Sequence, residues 1–282
     1  MASRSFPLPK RSHPLSGQSA LLSSDLLTYY RSVSHSPLTV VDVETTGSVA
    51  CKSRVIEISV LQGSLDEGIQ HQETHLINVG VRVPQNITQI TGITPSMLVK
   101  APYPEEVWPE LLPYLEQGVL TAHNVDFDYA FIQAEYRQLE MSYSRPAEKL
   151  FCTVLLSRLL LADLPSRSLP DLVQHFGFDV GRSHRAEADT QACWLLANYL
   201  LTLIREEPDE ILLARFAQQW VRLKDAAKLL GLPKSQVRDT LNDRGAECRT
   251  SRRNSRFLYR RGDIENLYQE LNSQQFSLEG TV

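Results

Sequence analysis

Leu38-Thr39-Val40-Val41-Asp42-Val43-Glu44-Thr45-Thr46-Gly47 is the stretch from which the rest of the chain can be read. A β-branched run closed by Thr-Thr-Gly predicts a central strand ending in a tight turn. Asp42 and Glu44 stand two apart, so on a strand both side chains project from the same face. Among Val40, Val41 and Val43, unpaired carboxylates would cost several kcal/mol or take up protons. A divalent cation resolves that conflict, and hard oxygen donors suit Mg²⁺ or Mn²⁺. The competing reading, equally open from this pair alone, is a solvated strand end that the acids merely cap.

Working outward, residues 54–61 and 73–79 read as the next two strands, with Asp66-Glu67-Gly68 as the turn between them. A proline-punctuated helix carries Val107, Leu111, Leu112 and Leu115. Residues 119–122 form a short strand, 126–139 a helix, and Phe151-Cys152 a last strand before a helix over 153–161. A long apolar helix is expected over 185–204. Strands first, then alternation with helices, indicates a mixed α/β sheet covered by helices.

Two more acid-bearing segments follow this pattern. His123-Asn124-Val125-Asp126-Phe127-Asp128 leaves a strand and starts a helix, which places Asp128 near a sheet edge. His184-Arg185-Ala186-Glu187-Ala188-Asp189 opens the long helix, with Asp189 in its first turns. In this order, the D-x-E-T-T-G, H-N-x-x-F-D and H-x(4)-D runs resemble the three motifs of the DEDDh 3'-5' exonucleases, the DnaQ-like and RNase T superfamily. Ile90-Thr91-Gly92-Ile93-Thr94 with Met97 is similar to a further DnaQ-like segment, and the resemblance covers residues 37–204.

The resemblance implies a ribonuclease H-like α/β fold and a metal-dependent 3'-5' exonuclease acting on DNA and releasing nucleoside 5'-monophosphates. It implies Asp42, Glu44, Asp128 and Asp189 as ligands of two Mg²⁺ or Mn²⁺ ions and His184 as the general base. Thr45, Thr46, His123 and Asn124 are expected near the terminal nucleotide, although a tight turn also accounts for the threonines. His123 is expected to orient the strand end rather than act as a base. Asp126 and Glu187 lie beside the motifs at the wrong spacing and read as solvated. RNA 3'-end trimming is the alternative within enzymes, because sugar selection depends on pocket shape at the 2' position. A non-catalytic DNA-binding regulator on an exonuclease scaffold is the rival from another class.

Charge separates a second unit from the first. The chain of 282 residues is 42% hydrophobic, which excludes a disordered or collagenous protein, and its net charge of -4 argues against a nucleic-acid partner. Residues 220–262, however, hold 12 Lys/Arg against 4 Asp/Glu, a local +8 that leaves -12 elsewhere. Within this block an amphipathic helix, a Gly231-Leu232-Pro233 turn, a second helix over 234–242 and a basic hairpin resemble the winged helix-turn-helix of excisionases and MerR-like regulators. That resemblance implies Lys234, Ser235, Gln236 and Arg238 at the major groove and Arg252, Arg253 and Arg256 on phosphates; a protein-docking module with a solvated basic face is the other reading.

The expected organisation is therefore a disordered basic arm over 1–24, an exonuclease domain over 25–205, a linker over 206–219, the winged helix over 220–272 and a disordered tail over 273–282. The arm reads as solvated rather than as an organelle transit peptide. Four scattered cysteines without metal-ligand spacing are expected as idle thiols in a reducing cytoplasm. The longest apolar stretch is too short to cross a bilayer, which takes about 20 residues. Expected partners are single-stranded or frayed 3' ends of nucleic acid, with DNA favoured over RNA, and a replication or repair protein. Gln275-Phe276-Ser277-Leu278 only faintly resembles motifs that dock on sliding clamps.

Overall fold

In the computed structural model, which describes residues 21–250 and 256–279 and side chains as far as residue 273, the exonuclease-like part is built on one sheet. Helix α1 (Ser23–Ser34) leads into β1 (Leu38–Thr45), followed by the hairpin β2 (Val55–Ser64) and β3 (Gly68–Leu76). Helices α2 (Gln85–Thr91), α3 (Pro95–Leu98) and α4 (Pro104–Leu115) return the chain to β4 (Val119–Ala122). Helix α5 (Val125–Gln138) connects to β5 (Leu150–Cys152), and α6 (Thr153–Leu160), α7 (Leu169–Phe176) and α8 (Ala186–Glu206) complete the layers. The sheet order is β3-β2-β1-β4-β5, with β1 antiparallel to β2 and parallel to β4. This is the α/β, ribonuclease H-like mixed sheet flanked by helices.

Alternation along β1 decides which way the acids face. Val41 and Val43 join Trp108 and Leu111 of α4 and Ile132 and Tyr136 of α5 in one core. Leu38 and Val40 join Leu26 and Tyr30 of α1 and Leu196 and Leu200 of α8 in the other. Asp42 and Glu44 continue the Leu38–Val40 row and so turn toward α8. That helix lies close against β2: a Cβ at Gly63 would stand 2.7 Å from Cη2 of Trp194 and 2.6 Å from the Gly68 carbonyl oxygen. Glycine at this point lets α8 approach and sets where its N-terminal turn lands.

Several boundaries differ from the sequence reading. Strand β3 begins at Gly68, well before residue 73, and ends at Leu76. It is an edge strand with Gln70 and Gln72 in its first half, so its pairing comes from the backbone ladder with β2 and leaves little apolar signal. Helices α2, α3 and α7 were also not anticipated as helices. The stretch read as a linker, 206–219, instead contains α9 (Asp209–Ala217), whose Leu212 and Phe216 are fully buried in the second core. Glu206-Glu207-Pro208 marks a helix break there, with α9 packed onto the second core beyond it.

Beyond α9 come β6 (Trp220–Arg222), α10 (Leu223–Leu230), α11 (Lys234–Asp243), β7 (Cys248–Thr250), β8 (Phe257–Arg260) and α12 (Arg261–Glu279). The strands form a small sheet ordered β6-β8-β7 over a core of Val221, Ala226, Val237, Leu241, Tyr259 and Ile264. Helix α12 runs on through residues read as a disordered tail. Its first turn ties the block to the N-terminal part. Arg261, 2% exposed, donates to the Leu21 carbonyl at 2.8 Å, and Glu265 accepts from the Ser23 N–H and Oγ at 2.8 and 2.9 Å. Residues 1–20 of the basic arm, Arg252, Arg253 and the side chains of Gln275-Phe276-Ser277-Leu278 lie outside the described residues. Among the described residues no helix is long and apolar enough to cross a membrane.

One buried ion pair fastens α5 to the sheet. Glu135, 1% exposed, takes both Nε and Nη2 of Arg54 and also the Val55 N–H at 2.9 Å. Removing one partner strands the other charge, at a cost of about 3–5 kcal/mol. Glu135→Ala is therefore expected to lower the urea midpoint by that amount of stability with an unchanged m-value; a midpoint within error of the parent would refute the assignment.

Candidate active site

The parallel ladder between β1 and β4 stops at Val40–Thr121, and the strands then part. Val43 N–H, left without a strand partner, donates instead to Oδ1 of Asp128 at 3.3 Å. The crevice beyond the carboxyl ends of parallel strands is where open α/β sheets bind ligands. On the other side of β1, the register with β2 shifts between Glu44 and Thr45, a bulge that re-aims the strand end beside the acids. Thr45 then donates to the Gly47 carbonyl at 2.7 Å, and Thr46 Oγ1 accepts from Arg54 N–H at 2.9 Å. Both hydroxyls thus hold the turn, as a tight turn alone would require.

Asp42, Glu44, Asp128 and Asp189 come from β1, α5 and α8 and crowd one space. Burial pushes Asp42 well above the usual carboxylate range, and the charges of Asp128, Asp189 and Glu44 add to it. Glu44 is pushed up to about 7 by burial, then by Asp189 and Glu57, against the pull of Arg185. Asp128, 3% exposed, rises to about 8 through burial, opposed by its own backbone N–H and that of Val43. Asp189 is raised by burial and restrained by the His184 N–H and charge. Carboxylates with raised folded pKa values bind protons more tightly folded than unfolded. Their ionisation therefore costs stability as pH climbs from about 4 through 7 and 8.

His184 sits at the exposed rim with φ of 63°, a left-handed conformation that strains a non-glycine residue. Its N–H donates to Oδ2 of Asp189 at 2.9 Å, which holds the strained turn against the helix. Donor atoms of Glu44, His184 and Asp189 all lie within 4.8 Å of one another. Asp42 and Asp128 are not in that trio but share its field. A carboxylate-rich donor set beside one imidazole, in which every acid is pushed toward protonation, fits a hard divalent cation.

Two residues missed by the sequence reading align this arrangement. Glu57, 1% exposed, faces Glu44 across the β1–β2 pair. It accepts from Arg185 Nη2 at 2.6 Å and from the Ala186 N–H at 2.9 Å, capping the N-terminus of α8. That clamp fixes Arg185 and Ala186, which lie between His184 and Asp189, and it sets a guanidinium beside Glu44. The signal was present: Glu57 interrupts Ile56 and Ile58 just as Asp42 interrupts the valines.

Other expected residues are placed differently. Both His123 ring nitrogens are occupied within the protein, by Thr153 Oγ1 and the Arg167 carbonyl, each at 2.9 Å. Burial lowers its pKa to about 4. It is a strut at the end of β4, as its expected role in orienting the strand end would have it, with both ring nitrogens held inside the protein. Asn124 is exposed with φ of 94° and remains at the crevice mouth. Asp126 is half-buried rather than solvated, while Glu187 is exposed as expected. Lys234, Ser235, Gln236 and Arg256 are exposed far along the chain; Arg238 pairs with Asp239 at 3.0 Å.

Comparison with known proteins bears on residues 39–196, which match the RNase T exonuclease family. The epsilon subunit of DNA polymerase III from Aquifex aeolicus is 31% identical over 169 residues, 59% of this chain and 80% of that protein. A PolC-type DNA polymerase III from Clostridium perfringens is 30% identical over 170 residues, and there the chain spans 12% of the relative's length. Among solved structures, a zinc-bound complex of E. coli exonuclease I with single-stranded DNA has the same fold, with a TM-score of 0.54 at 18% identity over 60% of this chain and 41% of that one. The family match ends ahead of the basic C-terminal block. With the acid order Asp42, Glu44, Asp128, Asp189 and His184 five residues before the last, the chain belongs to the RNase T/DnaQ-like family of DEDDh 3'-5' exonucleases and is related to the epsilon subunit of DNA polymerase III.

Proposed function

We propose that this chain removes nucleotides from the 3' end of DNA, releasing nucleoside 5'-monophosphates, with two Mg²⁺ or Mn²⁺ ions held by Asp42, Glu44, Asp128 and Asp189. The supporting observation is the convergence of these four carboxylates, each pushed toward protonation, beside a rim histidine. When bound, the ions supply the positive clamp on attacking water and leaving 3'-oxygen that phosphodiester hydrolysis needs.

The chain's own groups do the rest. His184, exposed at the mouth of the site, takes the proton of the attacking water as general base. Asp189 holds the His184 backbone. Glu57 and Arg185 keep that segment in place, and Asn124 lies where the terminal nucleotide would rest. The basic block serves as a winged helix-turn-helix that binds nucleic acid. Support comes from α10 and α11 joined through Gly231 in the left-handed conformation, with Lys234 and Gln236 exposed on α11 and Arg256 exposed just ahead of β8.

Asp42→Ala or Asp189→Ala is expected to abolish Mg²⁺-dependent shortening of 5'-labelled single-stranded DNA, as EDTA does for the parent. Mn²⁺ is expected to raise the parent's Tm, since it binds only the folded state, and to leave both variants unmoved. Full turnover by either variant would refute the ligand assignment. For His184→Ala the expected loss is about 10²–10⁴-fold in kcat with DNA affinity retained. Arg185→Ala is expected to lose about 10–100-fold in activity through misplacement of the His184 turn. Parent-like kinetics would leave Glu57–Arg185 a purely structural pair.

A further inference from the structure

A cleft of about 860 Å³ separates the exonuclease domain from the C-terminal block. One wall carries Asn124, Phe127 and Arg158; the other carries Trp220, Arg222 and Lys224. Ser48, in the turn after β1, also lines it, so with Asn124 the cleft reaches the loops that follow β1 and β4. Its volume lies in the range of pockets that enclose single ligands and is too small for a duplex.

Its cations are crowded, and two of those that line it are unanswered. Arg158 and Lys224 have no acid partner among the described residues. Arg249 has none either, and its guanidinium lies 5.5 Å from the centre of the Trp220 ring. Burial lowers the pKa of Arg158, and the nearby charge of Arg222 lowers it further. Arg167 is likewise lowered by burial and then by Arg158, with Arg249 adding to it. Of the two acids on the walls, Asp225 is already tied to Arg222 at 2.6 Å. Arg158 on one wall and Arg222 on the other thus repel one another across the seam, with Arg167 and Arg249 adding their charge from close by. A polyanion between the two walls would relieve that repulsion. Phe127 adds an aromatic face of the kind on which unpaired bases stack, whereas the Trp220 ring carries the Arg260 guanidinium at 4.0 Å.

We propose that this cleft is the approach channel for the single strand whose 3' terminus reaches the acids, with phosphates upstream of the scissile bond held by Arg158, Lys224 and Arg249. The proposal rests on the exonuclease reading and moves the grip on substrate from the outer face of α11 to the face turned toward the nuclease. Bases would lie against Phe127.

The test is the dependence of kcat/KM on length, measured with dT2 and dT12 for the parent, Arg158→Ala, Arg249→Ala and Arg158→Lys. The parent is expected to favour dT12 strongly, and each alanine variant to cut the dT12-to-dT2 ratio about tenfold, equal to about 1.4 kcal/mol. The slope of log K against log salt for dT12 binding should become shallower by about 0.7 per lost phosphate contact and be restored by lysine at 158. An unchanged ratio and slope in both alanine variants would overturn the channel, as would an equal loss in Arg158→Lys. Failure of the parent to cleave either oligonucleotide would instead sink the exonuclease reading, and the salt slope of dT12 binding would still decide the channel.

Discussion

Mutual repulsion among carboxylates at the end of β1 is the constraint to which the surrounding structure answers. Asp42 and Glu44 project from a strand buried on both faces, and Asp128 and Asp189 are brought against them from two helices. Desolvation and like charge act in the same direction, and either would destabilise an ordinary strand end. The neighbouring groups offset this without cancelling it. Backbone N–H groups serve Asp128 and Asp189, and one guanidinium, Arg185, stands beside Glu44. What remains is a pocket short of positive charge, and that shortage is the physical basis of its demand for divalent cations.

Holding such a site open requires rigidity elsewhere. The two cores pin β1 from both sides, and Gly63 lets α8 approach closely enough for its first turn to meet Glu57. Glu57–Arg185 and Glu135–Arg54 are the same device used twice. In each, a fully buried glutamate accepts from an arginine and from a backbone N–H at the start of an element, α8 in one case and β2 in the other. The first aligns the chemistry, and the second anchors α5, the helix that carries Asp128.

The C-terminal block is joined to the nuclease by buried contacts of α9 and by Arg261 and Glu265, so it is not a module on a flexible tether. This changes the meaning of its charge. A tethered basic module would raise only the local concentration of nucleic acid. One packed against the nuclease presents Lys224 on the wall of the shared cleft and Lys234 on its outer surface.

Much of this was legible along the chain, for identifiable reasons. The strand β1 and the spacing of Asp42, Glu44, Asp128, His184 and Asp189 are local patterns, since period-two alternation and short motifs survive in one dimension. The order of elements from β1 to α8 followed from apolar periodicity, except where periodicity was weak. The edge strand β3 is polar, α2 and α3 are short, and α9 hides its two buried residues behind an acidic, proline-broken start. The sequence by itself thus determined the α/β class, the acids and the basic character of the C-terminal block. Only the tertiary structure decided that Glu57 and Arg185 clamp the start of α8, that both ring nitrogens of His123 are spent internally, and that Arg158 of α6 and Arg222 of β6 line one cleft. Those are contacts between residues tens to hundreds of positions apart, and no local pattern encodes which distant partner a buried charge will find.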